Sequence, residues 1–592
     1  MKSRIVAAIV LIALATASQA AELQLNLPDR ERLAGELEAA SLLVTTLEEE
    51  TVARRDVVAA AQADYRRLIS VLFERGYFGP VISIQVDGVE AADLPVVGSD
   101  VPVQTVVVTV QEGQRFVFGE ARIGPLAPGT ELPERFAPLG RSTTGVLRET
   151  ATAAIDGWRA AGHAKADLVD EDIVVNHDRG QVDATLRVDP GPRLSYGPLI
   201  IEGNEDVRER PIRRIADLRR GRVFDPDEVR QAARRLQRTG AFRSVSITEA
   251  EEIGPDATLP LTVQVVERLP RRFGVGAEVE TTQGLSLTAF WLHRNLTGAA
   301  DSLRLDGEFA GIGGQTGGED IIVSLGYNRP ATFSRDRDLF VNLEAEDLEQ
   351  PNFSSQRLGL EVGVRRIVSD NLQYQYAIAF DRTMVEDDFG SSDFSMISFP
   401  AEVTYDRRDD PLNAKGGFFL AGTAKPFAGF QDGGAGIRLT SDVRGYRAFG
   451  AEQGTVFAAR LQVATVLGAA LDEVPADDLF FSGGGGTVRG QEFQDLGAIL
   501  PTGEEVGGRS FAGIQSEIRR DISDRIGLVG FVDAGVVSPN SDWTETEGHV
   551  GAGLGVRYNT GIGPLRVDIG VPVAQPGTES GFEVYIGIGQ AF

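Results

Sequence analysis

Runs of about ten residues in which apolar side chains alternate strictly with charged, polar or glycine residues fill the C-terminal half of this chain,. Leu358, Leu360, Val362 and Val364 alternate with Arg357, Gly359, Glu361, Gly363 and Arg365. Leu339, Val341, Leu343 and Ala345 alternate with Asn342, Glu344 and Glu346, and Leu565, Val567, Ile569 and Val571 with Arg566, Asp568 and Gly570. Successive side chains on a strand point to opposite faces, so each run has one oily and one wet side. Soluble sandwiches alternate too, but their strands are commonly about five or six residues long. Longer runs suit a tilted crossing of a bilayer in a closed barrel, which leaves no backbone group unpaired in lipid. From Arg271 onward the pattern predicts sixteen strands, starting near residues 271, 284, 301, 319, 336, 355, 371, 393, 414, 435, 454, 507, 525, 549, 563 and 582. The expected fold class is α+β repeats followed by a 16-stranded antiparallel transmembrane β-barrel.

The first half repeats itself. Val110–Gly119, Val188–Gly197 and, more loosely, Val266–Gly274 are alike, at a spacing of about 78 residues, which means tandem small domains,. Each period carries a helix closed by glycine (Gly76, Gly162, Gly240) and then a strand. The clearest helix opens with Asp225-Pro226-Asp227-Glu228, an N-cap with proline at the first helical position,. Each unit therefore reads as strand, helices and two strands. The sheet edges can add an extended peptide by backbone hydrogen bonds, or the units can serve as rigid spacers.

Lys2 and Arg4 precede an apolar run from Ile5 to Ala15, and Ser18-Gln19-Ala20 supplies small residues, so residues 1–20 read as a signal peptide cut after Ala20,. A net charge of −28 excludes a nucleic-acid partner, since phosphates would repel the chain,. The chain has no cysteine, and its lysines (Lys2, Lys165, Lys415, Lys425) stand in no phosphate-loop setting,.

One connection stands apart. Gly483-Gly484-Gly485-Gly486 leaves the backbone almost unrestricted, and Thr487-Val488-Arg489-Gly490-Gln491 follows,. By strand parity Glu517, Arg519, Phe531 and Asp533 face the barrel lumen. Arg489 could then fold inward and pair with Asp533, with Glu517 nearby,. The alternative is a solvated loop whose arginine touches nothing.

These residues resemble the BamA/TamA superfamily of outer-membrane insertases and transporters. Its loop-six signature is similar to Val488-Arg489-Gly490-Gln491, and its next two strand motifs to Glu517-Ile518-Arg519 and Phe531-Val532-Asp533-Ala534-Gly535. The aromatic that normally follows Arg-Gly is Gln491 here, which questions any packing role at that site. Three repeats resemble the TamA branch rather than the five usual in BamA. So do Asp478-Leu479-Phe480-Phe481, Gly553–Tyr558, Gly561–Asp568 and the ending Phe582–Phe592.

The resemblance implies POTRA domains at 21–115, 116–193 and 194–269, and a barrel over 270–592 with residues 483–506 as a lumen-folded loop six. It implies location in the bacterial outer membrane with the POTRA domains in the periplasm. It also implies a seam between the first and last strands, about Arg271–Thr282 and Phe582–Phe592, that can part sideways. Val275, Gly276, Tyr585, Ile586, Gly587, Gly589 and Phe592 would line it. Glycines in the last strand make a weak seam physically reasonable, and a tether between Val275 and Ile586 would hold it shut. The implied partners are the lipid bilayer, unfolded outer-membrane and autotransporter clients, and a TamB-like periplasm-spanning protein met by the first POTRA domain.

The rival within the superfamily is a dedicated two-partner secretion pore. Such pores usually carry two POTRA domains and a plug helix; Asp29–Glu50 is helical in pattern but fits the first repeat. No enzyme is expected, and no cofactor or metal. His163, His177, His293 and His549 are scattered, and Gly508-Arg509-Ser510-Phe511-Ala512 lacks the second glycine of a nucleophile elbow,. Glu517 and Asp533 beside Arg489 suit a structural pairing better than acid–base work.

Overall fold

The computed structural model describes residues 21–592 apart from 49–51, 96–100, 316, 451–453, 501, 502, 504, 562 and 575–580. Residues 1–20, read above as a signal peptide, lie outside the described residues. The chain divides into two compact units. One holds residues up to Gly197 with Arg220–Asp227 and Glu251–Leu259, and the other holds the remainder.

In the first repeat Glu22–Asn26, Val81–Val86, Val89–Glu90 and Thr105–Gln111 form a four-stranded sheet under the helices Glu31–Ala40, Leu42–Leu47 and Arg54–Glu74. Asp64, buried inside the long helix, accepts hydrogen bonds from Ser41 Oγ (2.5 Å) and from the Leu42 and Leu43 amides (2.7 and 3.1 Å). It thereby satisfies the amides at the start of the short helix, which have no partner within it.

The second repeat pairs Val117–Gly124, Gln181–Asp189 and Asp167–Asn176, and carries one helix, Thr144–Ala160, where helices in the plural were expected. Pro125, Pro128, Pro133 and Pro138 precede that helix. Each lacks the amide that a second helix would need. The third repeat has the helices Glu209–Ala216 and Pro226–Arg238 on a sheet of Ser195–Glu202, Thr258–Glu267 and Phe242–Glu249. Gly76, Gly162 and Gly240 close their helices at φ +83°, +100° and +74°, the left-handed turn that glycine enters without strain,.

The C-terminal part is a closed antiparallel barrel of sixteen strands, each starting within a few residues of its expected place. The eighth comes in two pieces, Gly390–Ser398 and Ala401–Asp406, which both pair with Leu372–Asp387 and Gly416–Gln431 and so count as one strand bent at Phe399-Pro400. Apolar members of the alternating runs face outward: Leu358, Leu360 and Val362 are all exposed, as a lipid-facing wall requires,. At the end where the chain enters the barrel, Trp291, Tyr327 and Tyr374 continue the outward rows of their strands, an aromatic belt at the membrane boundary. Connections at the opposite end are mostly short. Thr281–Gln283, Pro351–Asn352, Asp388–Phe389 and Asp432–Gly434 join their strands directly.

The third repeat's helices meet the near rim of the barrel within the same compact unit. Arg335 reaches Glu228 Oε2 at 2.6 Å, and Arg208 donates to the Thr297 carbonyl at 2.9 Å.

Candidate functional site

The connection between the eleventh strand (Thr455–Leu467) and the twelfth (Ser510–Asp521) turns inward and fills part of the lumen. Its root carries two short helical turns, Leu471–Glu473 and Ala476–Asp478. Phe480 and Leu496 then join an apolar cluster with Phe353, Phe394, Met396, Phe427, Phe511 and Val537. The root is also held by charge from the far wall. Lys425 Nζ lies 3.3 Å from Asp478 Oδ2, Arg357 Nη1 lies 3.6 Å from Asp477 Oδ2, and Arg438 donates to the Asp478 carbonyl at 3.0 Å.

At the tip the polarity reverses, and the loop supplies the cation. Arg489 is 0% exposed. Its Nε and Nη2 grip both oxygens of Asp533 at 2.7 and 3.0 Å, and its backbone amide donates to the same carboxylate at 3.2 Å. Nη1 donates to Glu517 Oε1 at 2.5 Å and to Asp568 Oδ2 at 3.3 Å. The guanidinium also lies over Phe531, its central carbon 3.8 Å from the ring centre,. Two more arginines balance the three acids. Arg519 Nε donates to Glu517 Oε2 at 2.7 Å, and Arg557 bonds Asp568 through both terminal nitrogens. The group is thus neutral in sum, and each carboxylate has a cation at hydrogen-bond distance, the condition under which buried charge is tolerated.

The tip reaches this wall because the wall lacks side chains. A Cβ on Gly551 would collide with the Arg489 carbonyl, and one on Gly570 would come within 2.7 Å of the Gly490 amide. Gly490 itself, at φ +90°, sits so close to Val571 that a Cβ would meet its backbone nitrogen at 2.6 Å,. Gly535 leaves space for Ser482 and Val488. Val488 is buried, and the Gly490 amide donates to Tyr585 Oη of the last strand at 3.0 Å. Gln491 is 2% exposed and donates to the Val550 carbonyl at 2.8 Å. An amide thus seats the loop where the family pattern has a ring.

Glu517, Arg519, Phe531 and Asp533 face the lumen and meet Arg489 or its partners, as strand parity required. Asp568 and Arg557 were not singled out for this role. Their lumen-facing parity was readable, but the register bringing both to the level of Arg489 was not. The acids that anchor the loop root were missed as well.

The seam is short. The first strand (Arg271–Glu280) pairs with the second along its whole length, but meets the last (Glu583–Ile588) at Val279 with Ile586 and Glu280 with Tyr585. Thr281 adds hydrogen bonds to the Val584 backbone, and Arg566 crosses the seam on the lumen side to Glu278. Gly587 lies beneath that ion pair. Four of the expected seam residues (Val275, Gly276, Gly589 and Phe592) stand outside its pairing. Val275 and Gly276 pair with Ala289 and Thr288 of the second strand, and Val275 is 90% exposed, so the tether position opposite Ile586 is Val279, not Val275. Phe592 does not extend the strand. Gly589, at φ +99°, turns the chain inward, and Phe592 packs against Ala414, Tyr446 and Ala458. Its carbonyl accepts from Arg519 Nη2 at 3.2 Å.

Residues 295–592 match the Omp85 superfamily domain, and residues 195–268 match POTRA, described as a surface antigen variable number repeat. Among curated proteins the chain is similar to the outer membrane protein assembly factor BamA of Nitratidesulfovibrio vulgaris. The two are 23% identical over 415 residues, covering 66% of this chain and 50% of that protein. BamA of Neorickettsia risticii is 24% identical over 505 residues, covering 78% and 64%. The chain therefore spans between half and two-thirds of the length of these relatives. Among solved structures, BamA from Haemophilus ducreyi lacking POTRA domains 1–3 aligns with a TM-score of 0.60 at 18% identity, covering 79% of this chain and 99% of that one. CdiB from Acinetobacter baumannii aligns at 0.53 and 12%, covering 80% and 89%. At these identities the structural likeness speaks for the fold alone.

Proposed function

The chain belongs to the Omp85 superfamily, and from that premise we propose that it assembles other proteins into the outer membrane. Its barrel spans that membrane, with POTRA repeats in the periplasm. In this reading residues 21–115 and 116–193 are two further POTRA domains. Unfolded β-barrel and autotransporter clients pass from the repeats to the seam, and a TamB-like protein anchored in the inner membrane engages the first repeat. No covalent chemistry is involved. The barrel supplies an edge on which a client strand can form backbone hydrogen bonds.

The observation that carries the reading is the seam. Among the described residues most of the first strand lacks a partner on that side, and Phe273 and Val275 stand exposed on it. An unpaired strand edge in lipid is costly, and an incoming strand would relieve that cost. Loop six, held at both walls, obstructs the lumen and favours the lateral route over a path through the centre.

The test is a cysteine pair at Val279 and Ile586, oxidised in intact cells and then reduced. Assembly of outer-membrane proteins should stop with the seam cross-linked and resume on reduction. Normal assembly with the cross-link complete defeats the lateral route. If export of one soluble partner instead persists through the locked barrel, the protein is a two-partner secretion pore.

A further inference from the structure

The outward face of the fourth strand (Asp320–Ser334) runs Ile321, Val323, Leu325, Tyr327, Arg329. Apolar residues give way to a tyrosine and then an arginine, the order met on passing from hydrocarbon through the interface to the headgroups. Just beyond, the strand bulges between Arg329 and Ser334 and offers the Pro330 carbonyl to Arg214 of the third repeat. The charges that Arg214 feels most strongly are Arg329 and Arg210, both of its own sign, with Tyr327 also close. Burial, and then these two like charges, hold its pKa below the ordinary arginine range,.

The nearby acids are engaged elsewhere. Asp301 accepts from the Thr297 amide and hydroxyl, the Ala299 amide and the Tyr327 hydroxyl. Asp338 takes the Ala331 amide and faces Arg365 and Arg238. Arg214 Nε and Arg329 Nε are both shielded from solvent and lack a hydrogen-bond partner. Among the described residues neither Arg210 nor Arg329 has a carboxylate partner. In a chain with 86 acidic and 58 basic residues, three neighbouring arginines without an acid point to an anion from outside the protein.

We propose that Arg210, Arg214 and Arg329 hold the phosphate of a phospholipid headgroup, which ties the third repeat to the barrel rim. Guanidinium forks match the spacing of phosphate oxygens and remain charged at any physiological pH. The outward position of Arg329, one step past the aromatic belt, selects a lipid over a dissolved ion. The lipid supplies the missing acceptors for both Nε groups, while its acyl chains run along Tyr327 and Leu325. The site does not depend on the assembly role, and its test can fail while that role stands.

The full chain, purified in detergent, is titrated with phosphatidylglycerol vesicle extract and with inorganic phosphate, and bound lipid is read by native mass spectrometry. Heat-modifiable electrophoretic mobility verifies the barrel of each variant. The double variant Arg214→Gln and Arg329→Gln should hold the lipid about tenfold more weakly, because each charge-assisted bond lost is a sizeable part of the binding. Arg243→Gln, on an exposed part of the same repeat, should bind as wild type does. Should the double variant not fold, Arg210→Gln alone, exposed and unpacked, should still weaken binding about threefold. Equal lipid retention by wild type and the charge-removed variants overturns the proposal. Displacement of the lipid by millimolar inorganic phosphate also overturns it, in favour of a free-anion site.

Discussion

Replacing Arg489 by alanine removes the cation that three buried carboxylates share, but they do not lose equally. Glu517 keeps Arg519 at 2.7 Å and has Arg557 at 3.9 Å. Asp568 keeps both bonds from Arg557. Asp533 loses the grip of Nε and Nη2 and retains the residue-489 backbone amide as its donor. The cost therefore concentrates at Asp533. Stranding a buried charge costs about 3–5 kcal/mol, or roughly two to four powers of ten in the folding equilibrium. A second change, Asp533→Ala, removes the stranded acid. The double variant should thus recover more than half of the loss, and the single changes should not add. Urea titrations of barrel folding in lipid vesicles, followed by heat-modifiable mobility, measure all four corners of the cycle. Two results would refute the reasoning: wild-type midpoints for Arg489→Ala and Asp533→Ala, or a double variant whose loss equals the sum of the singles.

Gly551→Ala thrusts a methyl group at the Arg489 carbonyl. It should cost about 1–3 kcal/mol and open the loop to added protease near Gly503, measured by cleavage rate on intact cells. Asp64→Ala strands the Ser41 hydroxyl and two helix-start amides; thermal melts of the full chain should show its first repeat weakened by about 1–3 kcal/mol with the barrel unchanged. Asp87 is partly desolvated, which raises its pKa, but the Thr105 and Gln104 amides and Arg54 outweigh that and hold it below 3.8. Its contribution is therefore complete above that value and disappears as pH falls through the lower folded one. Asp87→Asn should lower the first repeat's melting temperature at pH 7 and leave it unchanged in strong acid.

Parity carried the sequence reading far. A side chain's face on a strand follows from counting by two, and this alone places Glu517, Arg519, Phe531 and Asp533 on the lumen wall. Register between strands is a different quantity. Gly555 stands opposite Asp568 and Phe531 opposite Gly553, alignments fixed by hairpin geometry and not by either strand's own pattern. Asp568 and Arg557 escaped for that reason. The same limit moved the seam partner of Ile586 from Val275 to Val279. The far-wall anchors at Asp477 and Asp478 were hidden differently: acids in a loop usually mean solvent, and nothing local shows that this segment lies inside.

The connections at the end of the barrel away from the repeats are two or three residues long at Thr281–Gln283, Pro351–Asn352, Asp388–Phe389 and Asp432–Gly434, while the longest turns inward. At these four connections a living cell shows its surroundings little beyond tight hairpin tips. Antibodies, phage tail fibres and defensive proteases all need protruding chain to grasp, and here they find scant purchase. An epitope tag for surface labelling belongs in Pro539–Glu545, within the longer connection that joins the thirteenth strand to the fourteenth.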